Sequence, residues 1–256
     1  MSNIQAVPAL VDNYIWLIHS VDSNEVLIVD PGDATPVINA ITEQGLTPVA
    51  ILITHYHYDH VDGIEDLVER YQLPVYGPAN AFIPKLSTVL SATNQLSVHP
   101  NFPDFEVLEI PGHTASHIAY RLDNMLFCGD TLFAAGCGRL LGGTAEQLFN
   151  SLQQLITLPA DTKIYCGHEY TQANLKFASL IEPNNTAIKQ RIADTDKLRA
   201  AKQPSLPTTI AAELATNPFL RGDQAEVIQA AQHFTGTELP NPLAVFTALR
   251  AWKDRP

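Results

Sequence analysis

Cysteine, basic residues and long apolar runs are all scarce in this sequence, and each shortage excludes a class of protein. The three cysteines, Cys128, Cys137 and Cys166, are an odd number without the spacing of a disulfide framework, which favours a reducing cytosol. Lysine and arginine total 15 against 27 acidic residues, so the formal net charge is −12 at pH 7. No basic run interrupts this acidity, and we therefore expect no binding to nucleic acid.

Signals for membranes and secretion are missing as well. No apolar stretch approaches the roughly 20 residues that a membrane-spanning helix needs. The first five residues, Met-Ser-Asn-Ile-Gln, contain neither a basic segment nor an apolar core, so we expect no signal peptide. These features predict a cytoplasmic protein that does not bind membranes. At 256 residues, the chain is long enough for one large domain or two small ones.

The densest cluster of chemically useful residues lies in residues 51–60, where an apolar run leads into His55, His57, Asp59 and His60. Such a short apolar run predicts a buried strand, and open α/β sheets place their sites at strand ends. His55 and His57 are two residues apart, so an extended backbone points both side chains the same way. Asp59 and His60 follow after the chain turns and are expected to point elsewhere. The cluster predicts a site for one metal ion or for two adjacent ones.

Three further strand ends each deliver a residue that can bind metal. His113 follows a strand predicted at 105–110, Asp130 ends a strand predicted within 124–130, and His168 follows one at 163–166. A carboxylate has two oxygens, so Asp130 is the candidate bridge between two cations. The set suits two metal sites. The first would use His55, His57 and His113, the second would use Asp59, His60 and His168, and Asp130 and a water would lie between them.

Three neighbouring residues have roles that the sequence leaves open. Asp30 ends an early strand, where it either supports a metal ligand or caps the helix predicted at 36–44. His117 suits a supporting hydrogen bond better than a bond to metal. Cys128 lies on the strand before the candidate bridging aspartate and is interpreted as a core residue.

A glycine-rich loop spans residues 136–143 and carries Arg139. It lacks the Gly-Lys-Ser/Thr ending of a P-loop, so we do not interpret it as one. Thr144 and Gln147 have the spacing of a capping box for a helix that reaches about residue 158. We expect Arg139 to be exposed on this loop, near the same end of the sheet as the candidate metal-binding residues.

The chain changes character after about residue 172, where strands stop and helical patterns take over. The last helix has Asn241 as its cap and Pro242 at its first position. Arg250 and Lys253 lie three residues apart on this helix and share a face. They are either a solvated basic edge or a pair of donors for the carboxylates of an anionic substrate.

These motifs resemble those of one enzyme family. Residues 54–60 are similar to the Thr-His-x-His-x-Asp-His motif of the metallo-β-lactamase superfamily. Further segments narrow the resemblance to glyoxalase II, hydroxyacylglutathione hydrolase, of the bacterial type. Those segments are residues 112–114, 128–133, 166–171, 217–221 and 249–254. The resemblance covers the whole chain, including the helical tail, which many members of the superfamily lack.

The resemblance implies an α/β protein with an αββα metallo-β-lactamase sandwich in residues 1–170 and a small all-helical substrate-binding domain in residues 171–256. It implies the ligand division above, with two metal ions per chain. Zinc is the usual metal, and iron or manganese is also found. The implied reaction is hydrolysis of S-D-lactoylglutathione to glutathione and D-lactate, which detoxifies methylglyoxal. We expect a monomer acting on this small thioester. The family's glutathione contacts match Arg139, Tyr170, Arg250 and Lys253.

Two positions depart from the family pattern. Leu141 stands where some relatives have tyrosine, and loss of one hydroxyl hydrogen bond would weaken substrate binding by about 1 kcal/mol. Ser116 stands where glycine is commoner, and no consequence follows from the sequence.

The expected chemistry is attack on a carbonyl by hydroxide. Two dications would bring a charge of +4, and Asp59 with Asp130 would bring −2. The remaining positive charge favours a hydroxide that bridges the metals, since a metal lowers the pKa of bound water to about 7. Asp59 would orient this hydroxide as well as bind metal, which makes it the candidate catalytic residue. A thiolate leaves readily, so no strong general acid is needed.

Three other functions stay open at this point. A lactonase or β-lactamase of the same superfamily would use the same metals, although the basic pair on the last helix argues against it. A mononuclear-iron persulfide dioxygenase would need only two histidines and one aspartate, which leaves the second ligand set without a purpose. A metal-binding protein without activity would have a closed coordination shell, whereas a bridging water leaves a position open.

Overall fold

The computed structural model describes residues 3–255 and divides the chain into two compact units. Unit 1 comprises Met1–Glu109 and Ser116–Gly129, and unit 2 comprises Ile110–Ala115 and Asp130–Pro256. Each unit is therefore assembled from separate stretches of chain. The predicted boundary near residue 170 between two domains does not coincide with this division into units, and it stays a prediction.

A six-stranded mixed sheet runs through unit 1. Its strands are β1 Ile4–Ala9, β2 Asn13–His19, β3 Glu25–Val29, β4 Thr47–Leu52, β5 Val75–Pro78 and β6 Thr88–Leu90, in that order across the sheet. The pairs β1–β2 and β2–β3 are antiparallel, and β3 to β6 run parallel to one another. Parallel neighbours need crossover connections. These contain α1 Ala34–Gln44, α2 Tyr58–Val61 and α3 Ile64–Tyr71. The carboxyl ends of β3 and β4 consequently lie at one edge of the sheet.

The apolar core of unit 1 packs this sheet against its helices. Ile15 and Ile28 from the sheet lie in one buried cluster with Val37 of α1 and with Ile64 and Leu67 of α3. All five side chains are essentially inaccessible to water. Burial of an aliphatic side chain of this size contributes roughly 1.5–3 kcal/mol. The core therefore gives a rigid base to the loops that leave the sheet at its carboxyl edge.

Four antiparallel strands complete unit 1. They are β7 Thr93–Leu96, β8 Phe105–Glu109, β9 Ile118–Leu122 and β10 Met125–Gly129. Strand β9 is tied to the end of β4, because Ile118 N–H donates to Thr54 O at 3.0 Å. The buried Tyr120 hydroxyl donates to Ile53 O at 2.8 Å, and burial raises the pKa of this phenol so that it stays a donor. These bonds steady the segment that carries the first histidines.

Unit 2 contains short strands and most of the helices. Its elements are β11 Leu132–Phe133, β12 Gly136–Cys137, α4 Ala145–Leu155, β13 Lys163–Cys166, α5 Thr171–Ile181, α6 Thr186–Ala200, β14 Thr208–Thr209, α7 Ile210–Thr216, a 3₁₀ helix at Pro218–Leu220, α8 Ala225–Thr235 and α9 Pro242–Lys253. Strands β11 and β12 form a hairpin, and β14 pairs antiparallel with β13. The helical tail is thus interrupted by one two-residue strand. Within residues 3–255, no helix combines the length and apolar composition needed to cross a bilayer.

Local sequence signals predicted several helix boundaries correctly. Thr144 Oγ1 accepts from Gln147 N–H at 3.1 Å and Gln147 Oε1 accepts from Thr144 N–H at 2.9 Å, which confirms the capping box. Helix α4 ends at Leu155, three residues before the expected position. Helix α9 begins at Pro242 as predicted, and the Asn241 side chain accepts from Ala244 N–H at 2.9 Å.

Replacement of Thr144 by alanine tests the capping box. We expect Thr144→Ala to lower the free energy of unfolding by about 1 kcal/mol, because the Gln147 N–H in the first turn of α4 loses its side-chain acceptor. Urea denaturation measures the change. Thr247→Ala, at an exposed position inside α9, is the matched control and should change stability by less than about 0.5 kcal/mol. Equal losses in both variants would show that the box contributes nothing.

Candidate metal centre

The segment after β4 brings the rings of His55 and His57 together. His55 Nε2 lies 3.1 Å from His57 Nδ1, and His57 is the residue that precedes the first turn of α2. Two nitrogens bound at 2.0–2.1 Å to one tetrahedral zinc ion would lie roughly 3.3 Å apart. The pair points to one place, as the two-residue spacing predicts, and its separation fits a shared metal ion.

The protonation of His55 follows from its neighbours. Thr54 Oγ1 donates to Asp30 Oδ2 at 2.6 Å, so its single hydrogen is already used. His55 Nδ1 lies 3.1 Å from the same Thr54 oxygen and must therefore be the donor in that contact. The Nε2 atom of His55 then carries the lone pair that a metal bond requires.

Asp59 and His60 lie within the single turn of α2, which follows the turn of the chain that the sequence predicted. His60 Nδ1 lies 3.1 Å from Asp30 Oδ2, so this nitrogen donates to the carboxylate and Nε2 carries the lone pair. His60 Nε2 is 3.6 Å from Asp59 Oδ2. Asn13 Nδ2 donates to Asp59 Oδ2 at 3.0 Å and to Asp59 O at 3.2 Å. Asn13 is a supporting residue that sequence reasoning missed.

Asp30 supports the site and does not cap α1. Its Oδ1 accepts from Thr54 N–H at 2.8 Å, and its Oδ2 accepts from the Thr54 hydroxyl and from His60. The cap of α1 is Asp33, which accepts from Thr35 N–H at 2.8 Å. Asp30 adopts a left-handed backbone with φ of 53°, a conformation that persists only where surrounding contacts determine it.

His117 packs against the histidine cluster of unit 1. Its ring stacks on that of His55 with centroids 4.6 Å apart, and its Nδ1–H donates to Ile118 O at 3.1 Å. Gly129 allows this close approach, because a Cβ there would lie 2.2 Å from Thr54 Oγ1 and 2.9 Å from the His117 ring. His117 thus contributes packing and a hydrogen bond.

The second group of predicted ligands lies in unit 2. His113 Nδ1 is 2.7 Å from Arg139 O, and since a carbonyl only accepts, this nitrogen is the donor. Asp130 Oδ2 lies 3.6 Å from His113 Nε2 and 3.2 Å from His168 Nε2. One carboxylate oxygen close to two histidine nitrogens is the arrangement that a bridging ligand requires. None of the three cysteines, all of which are described, forms a disulfide.

A cavity of about 320 Å³ in unit 2 contains all four residues predicted to contact substrate. Its lining includes Phe133, Cys137, Arg139, Tyr170, Asn174, Arg250, Lys253 and Asp254. The Tyr170 ring stacks on the His168 ring with centroids 4.7 Å apart and planes 2° from parallel. The cavity therefore lies beside one of the candidate metal ligands. Leu141 is about half exposed. The buried Ser116 hydroxyl has no hydrogen-bond partner among the described residues, and nothing in the structure explains the serine at this position.

The basic residues of the cavity differ in how firmly the protein holds them. Arg250 is only 4% exposed, and its guanidinium donates to Cys137 O at 2.9 Å and to Asp254 Oδ1 at 2.8 Å. Arg139 is 67% exposed, with Nε 3.4 Å from Asp254 Oδ1. Burial, and then the charge of Arg250, lowers the pKa of Lys253 to about 8. The Lys253 ammonium donates to Asn174 Oδ1. Arg139 is consequently the basic residue of the cavity that is most accessible to a ligand.

Comparison with known proteins decides the family. The model of the Metallo-beta-lactamase superfamily matches residues 10–168, and that of the Hydroxyacylglutathione hydrolase C-terminus matches residues 169–256. A hydroxyacylglutathione hydrolase from Alkalilimnicola ehrlichii is 49% identical over 257 residues, which cover 100% of both chains. The chain belongs to the hydroxyacylglutathione hydrolase family. A second relative of the same name, from Nitrosomonas europaea, is 46% identical and is aligned over 99% of this chain and 96% of its own.

A solved structure with the same fold contains metal. TTHA1623 in a di-iron-bound form is 28% identical, with a TM-score of 0.59 over 84% of this chain and 98% of its own. The predicted metallo-β-lactamase fold with a helical hydroxyacylglutathione hydrolase C-terminus is thus confirmed. In this member of the hydroxyacylglutathione hydrolase family, histidine and aspartate groups suited to a metal site are present.

The role of Asp30 can be tested by removing its charge without changing its size. In Asp30→Asn, the new amide places an N–H₂ group against Thr54 or His60, which are donors themselves. We expect metal affinity to fall roughly 10- to 100-fold, as is typical when a partner of a ligand is lost. Chelator competition measures the affinity. Asp33→Asn keeps the cap of α1 and is the control. Equal affinities in both variants would remove Asp30 from the site.

Proposed function

We propose that this chain hydrolyses S-D-lactoylglutathione, and related 2-hydroxyacyl thioesters of glutathione, to glutathione and the free hydroxy acid. The observation that carries the proposal is the pairing of converging histidine and aspartate ligands with a basic cavity next to His168. Relatives named hydroxyacylglutathione hydrolase match over the full chain and support the same reaction. The product D-lactate places the activity in methylglyoxal detoxification.

Two metal ions per chain are part of the proposal. One would be held by His55, His57 and His113, the other by Asp59, His60 and His168, with Asp130 as the shared ligand. The 3.1 Å separation of the His55 and His57 nitrogens and the position of Asp130 Oδ2 near two histidines support this division. Imidazole and carboxylate ligands suit zinc, and also iron or manganese. We propose zinc as the usual occupant.

The protein's own residues carry out the remaining parts of the proposed hydrolysis. Metal ions held by these ligands would supply a water of lowered pKa and would polarise the carbonyl group. Asp59, whose Oδ2 accepts a hydrogen bond from Asn13, orients the attacking water. The leaving group is a thiolate, so cleavage does not require a general acid as strong as an amide would need. The candidate catalytic residue is therefore Asp59.

The cavity supports glutathione as the thiol part of the substrate. Glutathione carries two carboxylates and one ammonium group. Arg139 and Lys253 offer cationic donors to the carboxylates, and Tyr170 and Arg250 complete that side of the cavity. A volume of about 320 Å³ lies at the lower end of the roughly 300–1,000 Å³ typical of small-molecule sites. In a chain with a net charge of −12, this local concentration of positive charge favours an anionic ligand.

We also propose that the protein acts as a monomer in the cytoplasm. The three buried cysteines form no disulfide, which suits a reducing compartment.

Loss of the shared ligand tests the binuclear reaction. The purified chain should hydrolyse S-D-lactoylglutathione and contain about two metal ions. We expect Asp130→Asn to lose metal and to lower kcat/KM by more than roughly 100-fold, because a bridging ligand affects both ions. Asp161→Asn, at an exposed turn residue, is the control. Elemental analysis and thioester hydrolysis are measured on the same samples. Turnover close to wild type in a metal-depleted Asp130 variant would contradict the mechanism.

The lowered pKa of Lys253 predicts how substrate binding depends on pH. Its ammonium form predominates below a pKa of about 8 and is lost as pH rises through that value. We therefore expect KM for the thioester to increase above about pH 8, since the substrate carboxylate loses a cationic partner. Lys253→Arg keeps its charge and should hold KM constant to higher pH, whereas Lys189→Arg, on the exposed side of α6, should behave like wild type. A KM that rises equally in all three proteins would exclude this role for Lys253.

A further inference from the structure

The hairpin that follows Asp130 is held by side chains from the helices of unit 2. Its backbone carbonyl groups accept hydrogen bonds from several side-chain donors. Asn217 Nδ2 donates to Gly136 O at 2.9 Å and to Phe133 O at 3.4 Å. Asn174 Nδ2 donates to Ala134 O at 2.9 Å. Arg250 Nη1 donates to Cys137 O at 2.9 Å and to Gly138 O at 3.4 Å.

The turn of this hairpin is strained and is fixed by a buried carboxylate. Ala135 has a φ of 56°, a left-handed conformation that is unfavourable for a residue with a side chain. Its N–H donates to Glu213 Oε2 at 2.8 Å, and the same oxygen accepts from Asn217 Nδ2 at 2.8 Å. Glu213 is fully buried, and its other oxygen accepts from Arg191 and Thr208, each at 2.6 Å. We refer to Asn174, Glu213, Asn217 and Arg250 together as the clasp.

The end of the hairpin contacts two candidate metal ligands. Gly138 packs so closely against Asp130 and His113 that a Cβ at this position would lie 2.0 Å from Asp130 O and 3.2 Å from His113 Cβ. The next residue, Arg139, accepts the Nδ1–H of His113 through its carbonyl at 2.7 Å. Leu141 N–H donates to His113 O at 3.0 Å. The position of the hairpin therefore determines how both ligands are presented.

We propose that the clasp positions Asp130 and His113 for metal binding by fixing the hairpin, whose end contacts both residues. The helical region of unit 2 would then help build the metal centre, in addition to lining the substrate cavity. The clasp residues are positioning residues, since they act through the hairpin backbone and the Arg139 carbonyl. The inference rests on the proposed ligand roles of Asp130 and His113. Partners of this kind typically change metal affinity roughly 10- to 100-fold.

Glu213 and Asn217 provide the test, because neither lines the substrate cavity. Asn217→Ala removes the donors to two hairpin carbonyls, and Glu213→Gln removes the charge that holds Ala135 and Asn217. Glu182→Gln is the matched control. Glu182 is also a buried carboxylate, but its oxygens accept from Arg221 at 2.8 and 2.9 Å and from Asn185 at 3.4 Å, and neither donor belongs to the hairpin. Zinc affinity is measured by chelator competition, and melting temperature is measured on the same samples.

We expect zinc affinity to fall roughly 10- to 100-fold in Asn217→Ala and Glu213→Gln and to stay at the wild-type value in Glu182→Gln, although all three variants lose thermal stability. A purely structural role would lower the melting temperature of all three without separating their affinities. That result would overturn the positioning proposal and leave the proposed function intact. A wild-type chain that binds no metal would overturn both.

Amide exchange in the wild-type chain gives a second measurement that does not depend on a variant folding. If the clasp fixes the hairpin in advance, the Ala135 amide should be as strongly protected in the metal-free protein as in the metal-loaded protein. Protection that appears only after zinc is added would show that the metal orders the hairpin, and would overturn the proposal.

Discussion

A metal centre built from histidines requires each ring to present one nitrogen lone pair to a common point, and this demand shapes much of the structure. A neutral imidazole meets it when its other nitrogen donates to a fixed acceptor. His55 donates to Thr54, His60 donates to Asp30, and His113 donates to the Arg139 carbonyl. Two of these acceptors are side-chain oxygens that bond to each other, since Thr54 Oγ1 donates to Asp30 Oδ2, and the third is a backbone carbonyl. The protein's own hydrogen bonds therefore orient the three rings.

Buried carboxylates do much of this anchoring. Asp30 holds the segment after β4 through three hydrogen bonds. Glu213 accepts four hydrogen bonds, one of them from Ala135 N–H in the hairpin after Asp130. Both stabilise a non-glycine residue in the left-handed region, Asp30 itself in one case and Ala135 in the other. A buried charge is tolerated when its hydrogen-bond capacity is satisfied, and it then specifies one geometry. The two units thus use the same physical device, each for the candidate ligands that it contains.

Short-range patterns explain how much of this was predictable. The candidate ligands were found because each follows an apolar run, and the cap of α9 was found because its residues are adjacent in sequence. The supporting residues escaped because their contacts join distant positions: Asn13 meets Asp59 across 46 residues, and Asn217 meets Gly136 across 81. Strands β11 and β12 have two residues each, too few to show a period. The spacing of Arg250 on its helix likewise gives no sign that the side chain is buried.

X-ray absorption spectroscopy of the metal-loaded protein tests the central claim most directly, because it reports both ligand type and metal–metal distance. With zinc at two equivalents per chain, we expect only nitrogen and oxygen neighbours, imidazole scattering, and a metal–metal distance of about 3.5–4 Å. A spectrum with sulfur in the first shell, or with zinc isolated from any second metal, would contradict a binuclear centre built from these histidines and aspartates.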